Sequence, residues 1–522
     1  MLREALQVDT KSRAALELLS VIYQRTKRPE QAQQQLERLV LFFPHEPLYC
    51  ERLAALLERR GEIQGALEHY RHLLDLRPTL ADSHYNYARL LNRAKQPQAA
   101  LDAYGVALEL GISQPEDVYS NMSVILSDQH RHQEAEAVLK QALQISPDYV
   151  PALYNLGVLK EELGLWQGAS ELFLKILELE PDHLSALTHL AHAQKIEDPA
   201  HPLVNKLELA LSRLSGEPQA SQALHFALGK VYDDSGGYDS AFEHFFKGNQ
   251  LSLQRAGSYD RDGQETLIKE LVDSCKSDWL TTVQPVSDSA PIFICGMYRS
   301  GSTLLEQMLA AHPDVTAGGE LNFFNQHIHL PSALTNIDPI RVRELGNLYL
   351  EYLDRGFPNA VRVTNKRPDN FVYLGFIRAM FPNAKFINTC RHPLDNCLSI
   401  YFQQLAGSVK YHTQLLDIGH YYAQYRCLMD FWQRELSGNI VDIDYQSLVS
   451  DPRAQLEPLL EFLQLEWHEG CLEFHKTDNR VRTASVWQVR QPLYQQSKGR
   501  WHNYAKHVES LQEYLQGVGI ET

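Results

Sequence analysis

The sequence predicts two folds in one chain: an N-terminal all-α solenoid and a C-terminal α/β domain with a mostly parallel sheet. A period of about 34 residues in the first half predicts the solenoid, and apolar runs that alternate with helical stretches predict the sheet. With 522 residues the chain is too long for one hydrophobic core. We expect a helical array over residues 1–256, a helix and linker over 257–290, and the α/β domain over 291–522.

The composition is that of a soluble globular protein, with 44% hydrophobic and 22% charged residues. A formal net charge of −16 argues against a general nucleic-acid binder. The seven cysteines form no C-x-x-C pair, which favours a reducing compartment without a disulfide framework or a zinc site. Neither a signal-peptide core nor a run of ~18 apolar residues occurs, so we expect a cytoplasmic protein without a membrane span.

Residues of the same type recur in phase through the first half. Alanines at the start of alternate predicted helices stand 34, 34, 35 and 34 residues apart, at Ala32, Ala66, Ala100, Ala135 and Ala169. In four units a proline follows twelve residues later, at Pro44, Pro78, Pro147 and Pro181. Small residues let paired helices approach closely, and proline ends the second helix of each pair. The pattern resembles the tetratricopeptide repeat, with five units over residues 13–183.

One more unit is predicted after a divergent helical stretch, with Gly229, Ala241 and Phe245 at the expected positions. The opening "REALQV" resembles "KQALQI", which lies 137 residues later, at the four-unit spacing. The opening is therefore either a short capping helix or the end of a unit that starts upstream. The array itself is either purely structural or a concave surface for a peptide or protein partner.

The second half alternates predicted strands and helices. A buried strand is expected in "PIFICGM". Further strands are expected in "VRVTNK", "AKFINTCRHP" and "NIVDIDY", with helices in "STLLEQMLAAH", "YLGFIRAMF" and "DPRAQLEPLLEFLQL". In a parallel sheet of this kind, ligands bind outside the carboxyl ends of the strands. The chemistry is therefore expected in the loops that follow these strands.

The loop "GMYRSGST", residues 296–303, has the G-x4-G spacing of a phosphate-binding loop. Its glycines let backbone N–H groups converge on an anion, and the following helix adds its partial positive charge. A nucleoside triphosphatase needs a lysine where this chain has Ser302, and the only cation in the loop is Arg299. The loop is thus suited to a phosphate but poorly equipped for ATP hydrolysis, which disfavours a kinase or ATPase.

A second phosphate-binding site is predicted in "FINTCRHPLDNCLSIYF". Arg391 stands at a strand end and Ser399 lies inside the next helix. An arginine fork together with a hydroxyl can hold a phosphate. Two separate phosphate-binding sites suggest a nucleoside that carries phosphates at both ends.

These motifs, with "LAAHPDVTAGGE", "TNKRPDNF" and "DYQSLVSDP", resemble the sulfotransferase family over about residues 290–505. Their order resembles tyrosylprotein sulfotransferases and bacterial proteins that fuse such a P-loop-like domain to tetratricopeptide repeats. The resemblance implies an enzyme that uses 3′-phosphoadenosine 5′-phosphosulfate (PAPS) as co-substrate, releases PAP and needs no metal.

The resemblance also implies a role for each matching residue. The 5′-phosphosulfate would be held by the loop residues Arg299, Ser300, Gly301, Ser302 and Thr303. The 3′-phosphate would be held by Arg391 and Ser399. Further contacts to the nucleotide are implied for Tyr445, Ser485 and Lys498.

Glu320 is implied as the general base, because a hydroxyl acceptor must lose its proton and a carboxylate in a partly dry pocket can take it. Arg299 and Lys366 fit the cations that stabilise the spreading charge. Alternatives stay open at this point: Glu320 as a surface carboxylate, or His327 or His329 as the base. His312 in "AHPD" is expected to shape a turn, and no HxH metal site is expected because no third ligand is obvious.

One departure from the family concerns the acceptor. Tyrosylprotein sulfotransferases carry "GEETR" where this chain has "GGELN", so an arginine that helps recognise acidic peptides is Asn322 here. We expect transfer to a hydroxyl acceptor, protein tyrosine among the candidates, with the repeats binding acceptor or partner. The alternative is a repeat scaffold with a nucleotide-binding but inactive domain.

Overall fold

The computed structural model describes residues 2–129, 131–214, 216–276, 283–287, 289–335, 338–405, 407–474 and 498–522. Contacts divide it into two compact units, Met1–Leu159 and Lys160–Thr522. No helix among the described residues combines the length and the hydropathy that a bilayer crossing requires. The same residues hold no group of three or more side chains arranged as metal ligands.

The first unit is built from antiparallel helix pairs. Its helices are α1 (Leu2–Val8), α2 (Arg13–Arg25), α3 (Pro29–Phe42), α4 (Pro47–Arg60), α5 (Ile63–Leu76), α6 (Ala81–Arg93), α7 (Pro97–Glu109), α8 (Pro115–Asp128), α9 (His132–Ile145) and the greater part of α10 (Val150–Glu162). Ala32, Ala66 and Ala100 each lie in the first turn of the second helix of a pair and are fully buried. The predicted repeat of helix pairs is confirmed.

The second unit opens with helices that continue the pattern. They are α11 (Trp166–Leu179), α12 (Leu184–Ala193), α13 (Pro202–Arg213), α14 (Pro218–Asp234), α15 (Tyr238–Ala256) and α16 (Arg261–Ser274). A Cβ on Gly229 would lie 2.7 Å from the ring of Phe245, so the glycine allows the aromatic ring to fill the space between α14 and α15. The predicted last helix pair is therefore present.

The rest of the second unit surrounds a sheet whose described strands are all parallel, in the order β2-β3-β1-β4-β5. The strands are β1 (Ile292–Gly296), β2 (Val315–Ala317), β3 (Arg362–Lys366), β4 (Lys385–Cys390) and β5 (Ile440–Asp444). The helices are α17 (Ser302–Ala310), α18 (Phe323–His327), α19 (Ser332–Thr335), α20 (Pro339–Gly356), α21 (Leu374–Met380), α22 (Pro393–Tyr401), α23 (Leu415–Glu435), α24 (Tyr445–Ser450), α25 (Pro452–Phe462) and α26 (Ala505–Gly517). The predicted α/β architecture is confirmed.

Hydrophobic residues cover both faces of the sheet, as a central parallel strand requires. Phe293 and Cys295 of β1 belong to one core cluster, whereas Ile292 and Ile294 belong to another. This division follows from the alternation of side chains along a strand. Burial on both faces explains why the sequence of β1 is apolar without interruption.

The last helix pair packs against the α/β core. The ring of Phe245 on α15 stacks on Phe402, with centroids 4.2 Å apart. Nearby, Nδ2 of Asn249 donates to the carbonyl oxygen of Tyr401 at 2.8 Å. Helices α14 and α15 thus belong to one hydrophobic core with the sheet.

Candidate active site

The loop between β1 and α17 has a backbone that two glycines make possible. Gly296 and Gly301 have φ angles of +143° and +102°. A Cβ on Gly296 would lie 2.5 Å from the carbonyl oxygen of Thr389, and one on Gly301 would lie 2.5 Å from the ring of Tyr445. The loop therefore packs tightly against β4 and the start of α24 before α17 begins at Ser302.

Arg299 at the centre of this loop has a φ angle of +67°, in the left-handed region that non-glycine residues rarely adopt. Such backbone strain is concentrated at ligand-binding and catalytic sites. Ser300 beside it is almost fully buried, and its hydroxyl lies 2.6 Å from that of Thr389. The side chain of Ser300 therefore braces the loop against β4, while Ser302 and Thr303 form the first turn of α17.

The second predicted phosphate-binding site is in direct contact with the first. Nε of Arg299 donates to Oγ of Ser399 at 3.3 Å, and Nη1 of Arg391 donates to the carbonyl oxygen of Arg299 at 3.3 Å. The guanidinium of Arg391 also lies 5.2 Å from the ring centroid of Tyr445, whose ring contacts Gly301. Two arginines, a serine and a tyrosine thus meet at one place, although the arginines are 92 residues apart.

Helix α22 brings the C-terminal segment to this cluster. Asp395 in its first turn is 2% exposed and accepts hydrogen bonds from the backbone N–H groups of Gly499 and Trp501 at 2.8 and 2.9 Å. The indole of Trp501 stacks on the ring of His392, with centroids 5.7 Å apart. The backbone that follows Lys498 is therefore held beside α22, the helix that carries Ser399. Ser485, the other residue implied for this segment, lies outside the described residues.

A second cluster lies at the carboxyl end of β3. Nζ of Lys366 donates to Oε1 of Glu320 at 2.7 Å. The lysine side chain is 1% exposed, whereas the glutamate side chain is 36% exposed. The backbone N–H of Lys366 also donates to the carbonyl oxygen of Gly319 at 2.9 Å, so main chain and side chain together position Glu320.

Glu306 on α17 is a member of this cluster that the sequence analysis did not identify. Its Oε1 accepts from the backbone N–H of Gly319 at 3.0 Å and from Oγ1 of Thr364 at 2.7 Å, and the residue is 3% exposed. Burial raises the pKa of the Glu306 carboxyl, while the charge of Lys366 and the two hydrogen bonds oppose that rise. In the sequence, burial of Glu306 was indicated by its place among the apolar residues of "STLLEQMLAAH". A carboxylate buried there needs hydrogen-bond partners.

The histidines of this region have other contacts. His329, one of the two alternatives to Glu320, is exposed, and its carbonyl oxygen accepts from Oγ of Ser332 at 2.7 Å. Nδ1 of His327 donates to the carbonyl oxygen of Phe323 at 2.8 Å, and its ring stacks on the Phe323 ring. Nδ1 of His312 accepts from the backbone N–H of Asp314 at 3.1 Å, and its Nε2 donates to the carbonyl oxygen of Glu466 at 3.0 Å. His312 therefore shapes a turn, and the contact to Lys366 comes from Glu320.

Among the described residues, three of the predicted site elements lie at the carboxyl ends of neighbouring strands. The glycine loop follows β1, Lys366 ends β3, and Arg391 follows β4. The paired strands β3, β1 and β4 are neighbours, so their carboxyl ends meet. This arrangement can bind an anion beside a carboxylate that is held by a buried ammonium group.

Two family models match this chain. Residues 291–469 match the model described as Sulfotransferase family, and residues 126–193 match one described as Tetratricopeptide repeat. The first match lies within the predicted range 290–505, and the second overlaps the last of the repeat units predicted over 13–183. The predicted resemblance is confirmed.

Several curated proteins are similar over part of their length. An uncharacterized protein of Aquifex aeolicus is 29% identical over 420 residues, which cover 77% of this chain and 54% of that protein. The protein-tyrosine sulfotransferase of Drosophila melanogaster is 26% identical over 40% of this chain and 46% of its own length. Protein-tyrosine sulfotransferase A of Caenorhabditis elegans is 25% identical over 41% of this chain and 60% of its own length. The chain thus spans about half the length of these relatives.

Proposed function

We propose that this chain, whose residues 291–469 form a sulfotransferase-family domain, transfers a sulfuryl group from PAPS to a hydroxyl acceptor. The main support for this proposal is that two clusters lie together at the carboxyl ends of neighbouring strands. One cluster joins Arg299 to Ser399 at 3.3 Å, and the other joins Lys366 to Glu320 at 2.7 Å. A sulfuryl transferase needs both an anion-binding site and a proton acceptor.

The donor site has the chemistry that a doubly phosphorylated nucleotide requires. Guanidinium groups form strong charge-assisted hydrogen bonds with phosphate oxygens. We assign the 5′-phosphosulfate to Arg299 and the glycine loop with Gly301, Ser302 and Thr303, and Ser300 supports that loop through its bond to Thr389. We assign the 3′-phosphate to Arg391 and Ser399. Tyr445, Ser485 and Lys498 complete the proposed nucleotide site.

PAPS supplies an activated sulfuryl group, and PAP is the leaving group when the new oxygen–sulfur bond replaces the old one. The carboxylate of Glu320 takes the proton of the acceptor hydroxyl. Its side chain is 36% exposed and therefore within reach of an acceptor, whereas the ammonium of Lys366 is fixed by burial. Lys366 and Arg299 stabilise the negative charge that develops on the transferring group and the leaving phosphate.

The repeat helices supply a surface for a protein partner or a protein acceptor. The match of residues 126–193 to the tetratricopeptide repeat supports this role. Such arrays form extended concave surfaces that bind peptides.

A ligand panel tests the donor assignment. The melting temperature of the full chain is measured with PAP, ATP and ADP at equal concentration, because a ligand that binds only the native state stabilises it. We expect PAP to raise the melting temperature most; a larger rise with ATP would contradict the assignment. Labelled PAPS is then incubated with the protein and a native lysate, and the labelled product is identified. PAP binding without any labelled product would favour the inactive scaffold.

A further inference from the structure

A second pair of charged residues lies beside Glu320, and its charges neutralise each other. Nε and Nη2 of Arg367 donate to the two carboxylate oxygens of Asp369 at 2.8 Å each. Nη1 of Arg367 donates to Oδ1 of Asn322, two residues after Glu320. The side chains of Arg367 and Asp369 are 13% and 25% exposed, so the pair is largely withdrawn from solvent.

We use the name acceptor-side cleft for Tyr298, Glu320, Asn322, Arg367 and Asp369. Tyr298 belongs to the glycine loop and is half-buried. Burial first, and then the charges of Asp369 and Glu320, raise the pKa of the Tyr298 hydroxyl to about 12, and the charge of Arg367 opposes that rise. The cleft therefore combines an aromatic ring with the proposed base.

The charges of this cleft cancel in pairs. Glu320 is paired with Lys366, and Arg367 is paired with Asp369. An acidic segment that approached Arg367 would have to displace Asp369 from a bidentate contact or lie next to its carboxylate. Like charges placed together in a partly desolvated interface disfavour binding, and this is how interfaces reject wrong partners.

Resting on the proposed function, we propose that Asp369 sets the acceptor specificity of this cleft: by holding Arg367 it excludes acidic segments and favours an aryl hydroxyl in an uncharged surrounding. The aryl ring packs against Tyr298, since offset and edge-to-face ring pairs are stabilising. The acceptor hydroxyl then contacts Glu320, and no acidic residue of the acceptor lies beside it. Asp369 is a specificity-determining residue and takes no part in the proton transfer.

Calorimetry with three peptides on the PAP-loaded full chain tests this proposal. Each peptide has one tyrosine, flanked on both sides by Asp, by Ser or by Lys. We expect the Ser-flanked peptide to bind at least about 10-fold more tightly than the Asp-flanked peptide, a difference of about 1.4 kcal/mol. In Asp369→Asn the freed charge of Arg367 should raise the affinity for the Asp-flanked peptide at least about 10-fold, while the Ser-flanked peptide changes little.

Two variants make the result specific. Asp354→Asn removes an exposed carboxylate on α20 and should leave all three affinities unchanged. The double variant Arg367→Gln/Asp369→Asn lacks the freed cation and should keep the preference of the unmodified protein. A gain for the Asp-flanked peptide in the double variant would overturn the role of Arg367.

The remaining outcomes separate this proposal from the proposed function. If the unmodified protein prefers the Asp-flanked peptide, the specificity proposal is wrong even if Asp369→Asn does not fold. If the PAP-loaded protein binds none of the three peptides, the aryl acceptor class is wrong. PAP binding is measured first, and its absence would reject the proposed function instead.

Discussion

Lys366 and Glu320 form an ion pair in which one partner is fixed and the other is accessible. Nζ of Lys366 lies 2.7 Å from Oε1 of Glu320, with 1% of the lysine side chain exposed and 36% of the glutamate side chain. Because the lysine is held inside the domain, its position does not depend on a bound acceptor. The exposed part of the Glu320 side chain is therefore open to contact by an acceptor, while the ion pair with Lys366 keeps the carboxylate oriented.

Replacement of Glu320 by alanine should remove turnover without removing PAP binding. A positioned general base contributes about 10²- to 10⁴-fold to a rate, so kcat with any acceptor should fall by that factor. PAP affinity, measured by calorimetry, should change less than about threefold, because the proposed role of the carboxylate is toward the acceptor and not the nucleotide. Glu344→Ala on α20 is the matched control, since Glu344 is exposed. Turnover retained in Glu320→Ala would remove the residue from its proposed role.

Replacement of Arg391 by alanine should weaken PAP but not ADP. Loss of a charge-assisted hydrogen bond costs about 1.5–3 kcal/mol, which corresponds to a loss of PAP affinity of about 10- to 100-fold. ADP lacks the 3′-phosphate, so its affinity should change much less. Arg355→Ala serves as the control because the Arg355 side chain is 79% exposed. Equal losses for PAP and ADP would contradict the assignment of Arg391 to the 3′-phosphate.

Replacement of Glu306 by alanine should reduce stability and turnover together. The change leaves the backbone N–H of Gly319 and the hydroxyl of Thr364 without their acceptor, and each unsatisfied buried group costs about 1–3 kcal/mol. The turn before Glu320 then loses its anchor to α17. Glu306→Gln keeps an acceptor oxygen and should recover part of the thermal stability and of kcat. Identical behaviour of the alanine and glutamine variants would show that Glu306 does not position this turn.

His225 should make the second unit less stable in mild acid. Burial first, and then the nearby His244 and Lys247, lower the pKa of His225 to about 4, while the charge of Glu243 opposes that shift. The folded state then binds fewer protons than the unfolded state between about pH 4 and the ordinary histidine pKa of about 6.5. Stability is complete above about pH 6.5 and is lost as the pH falls toward 4, by about 2–3 kcal/mol for this residue.

Melting temperatures between pH 7.5 and 4.5 test this expectation. Nδ1 of His225 lies 3.0 Å from Nδ1 of His244, so one ring donates and the other accepts, and a second proton would break that bond. His225→Gln should flatten the pH dependence, and His45→Gln, at an exposed position, should not. An equal slope in all three proteins would mean that other groups cause the acid sensitivity.

Much of the fold could be predicted because the sequence repeats or alternates. Buried alanines in phase identified the helix pairs, and short apolar stretches that alternate with helical stretches identified the four longer strands. The strand Val315–Ala317 was missed because three residues are too few to show a pattern and one of them, Thr316, is exposed. Its pairing depends on β3, which lies 45 residues further along the chain and supplies the hydrogen bonds.

The site was predicted one loop at a time, and its assembly was not. Arg299 and Ser399 were assigned to separate phosphate-binding sites, yet Nε of Arg299 lies 3.3 Å from Oγ of Ser399. Nothing local specifies that distance, since it follows from the neighbouring positions of β1 and β4 in the sheet. Glu306 was missed for a similar reason: its apolar helix indicated burial, but its partners Gly319 and Thr364 come from other elements and could not be read from that helix.

The segment that Asp395 anchors beside α22 is also bonded to the last helix pair. Asp233 on α14 pairs with Arg500 and accepts from the hydroxyl of Tyr504 at 2.5 Å. Any fragment that starts after residue 256 would lose Asp233 together with the stacked ring of Phe245, and would expose the apolar surface that Phe402 now shares with it. A fragment designed to keep the α/β domain should therefore start before α14, at about residue 216, so that this apolar surface stays covered.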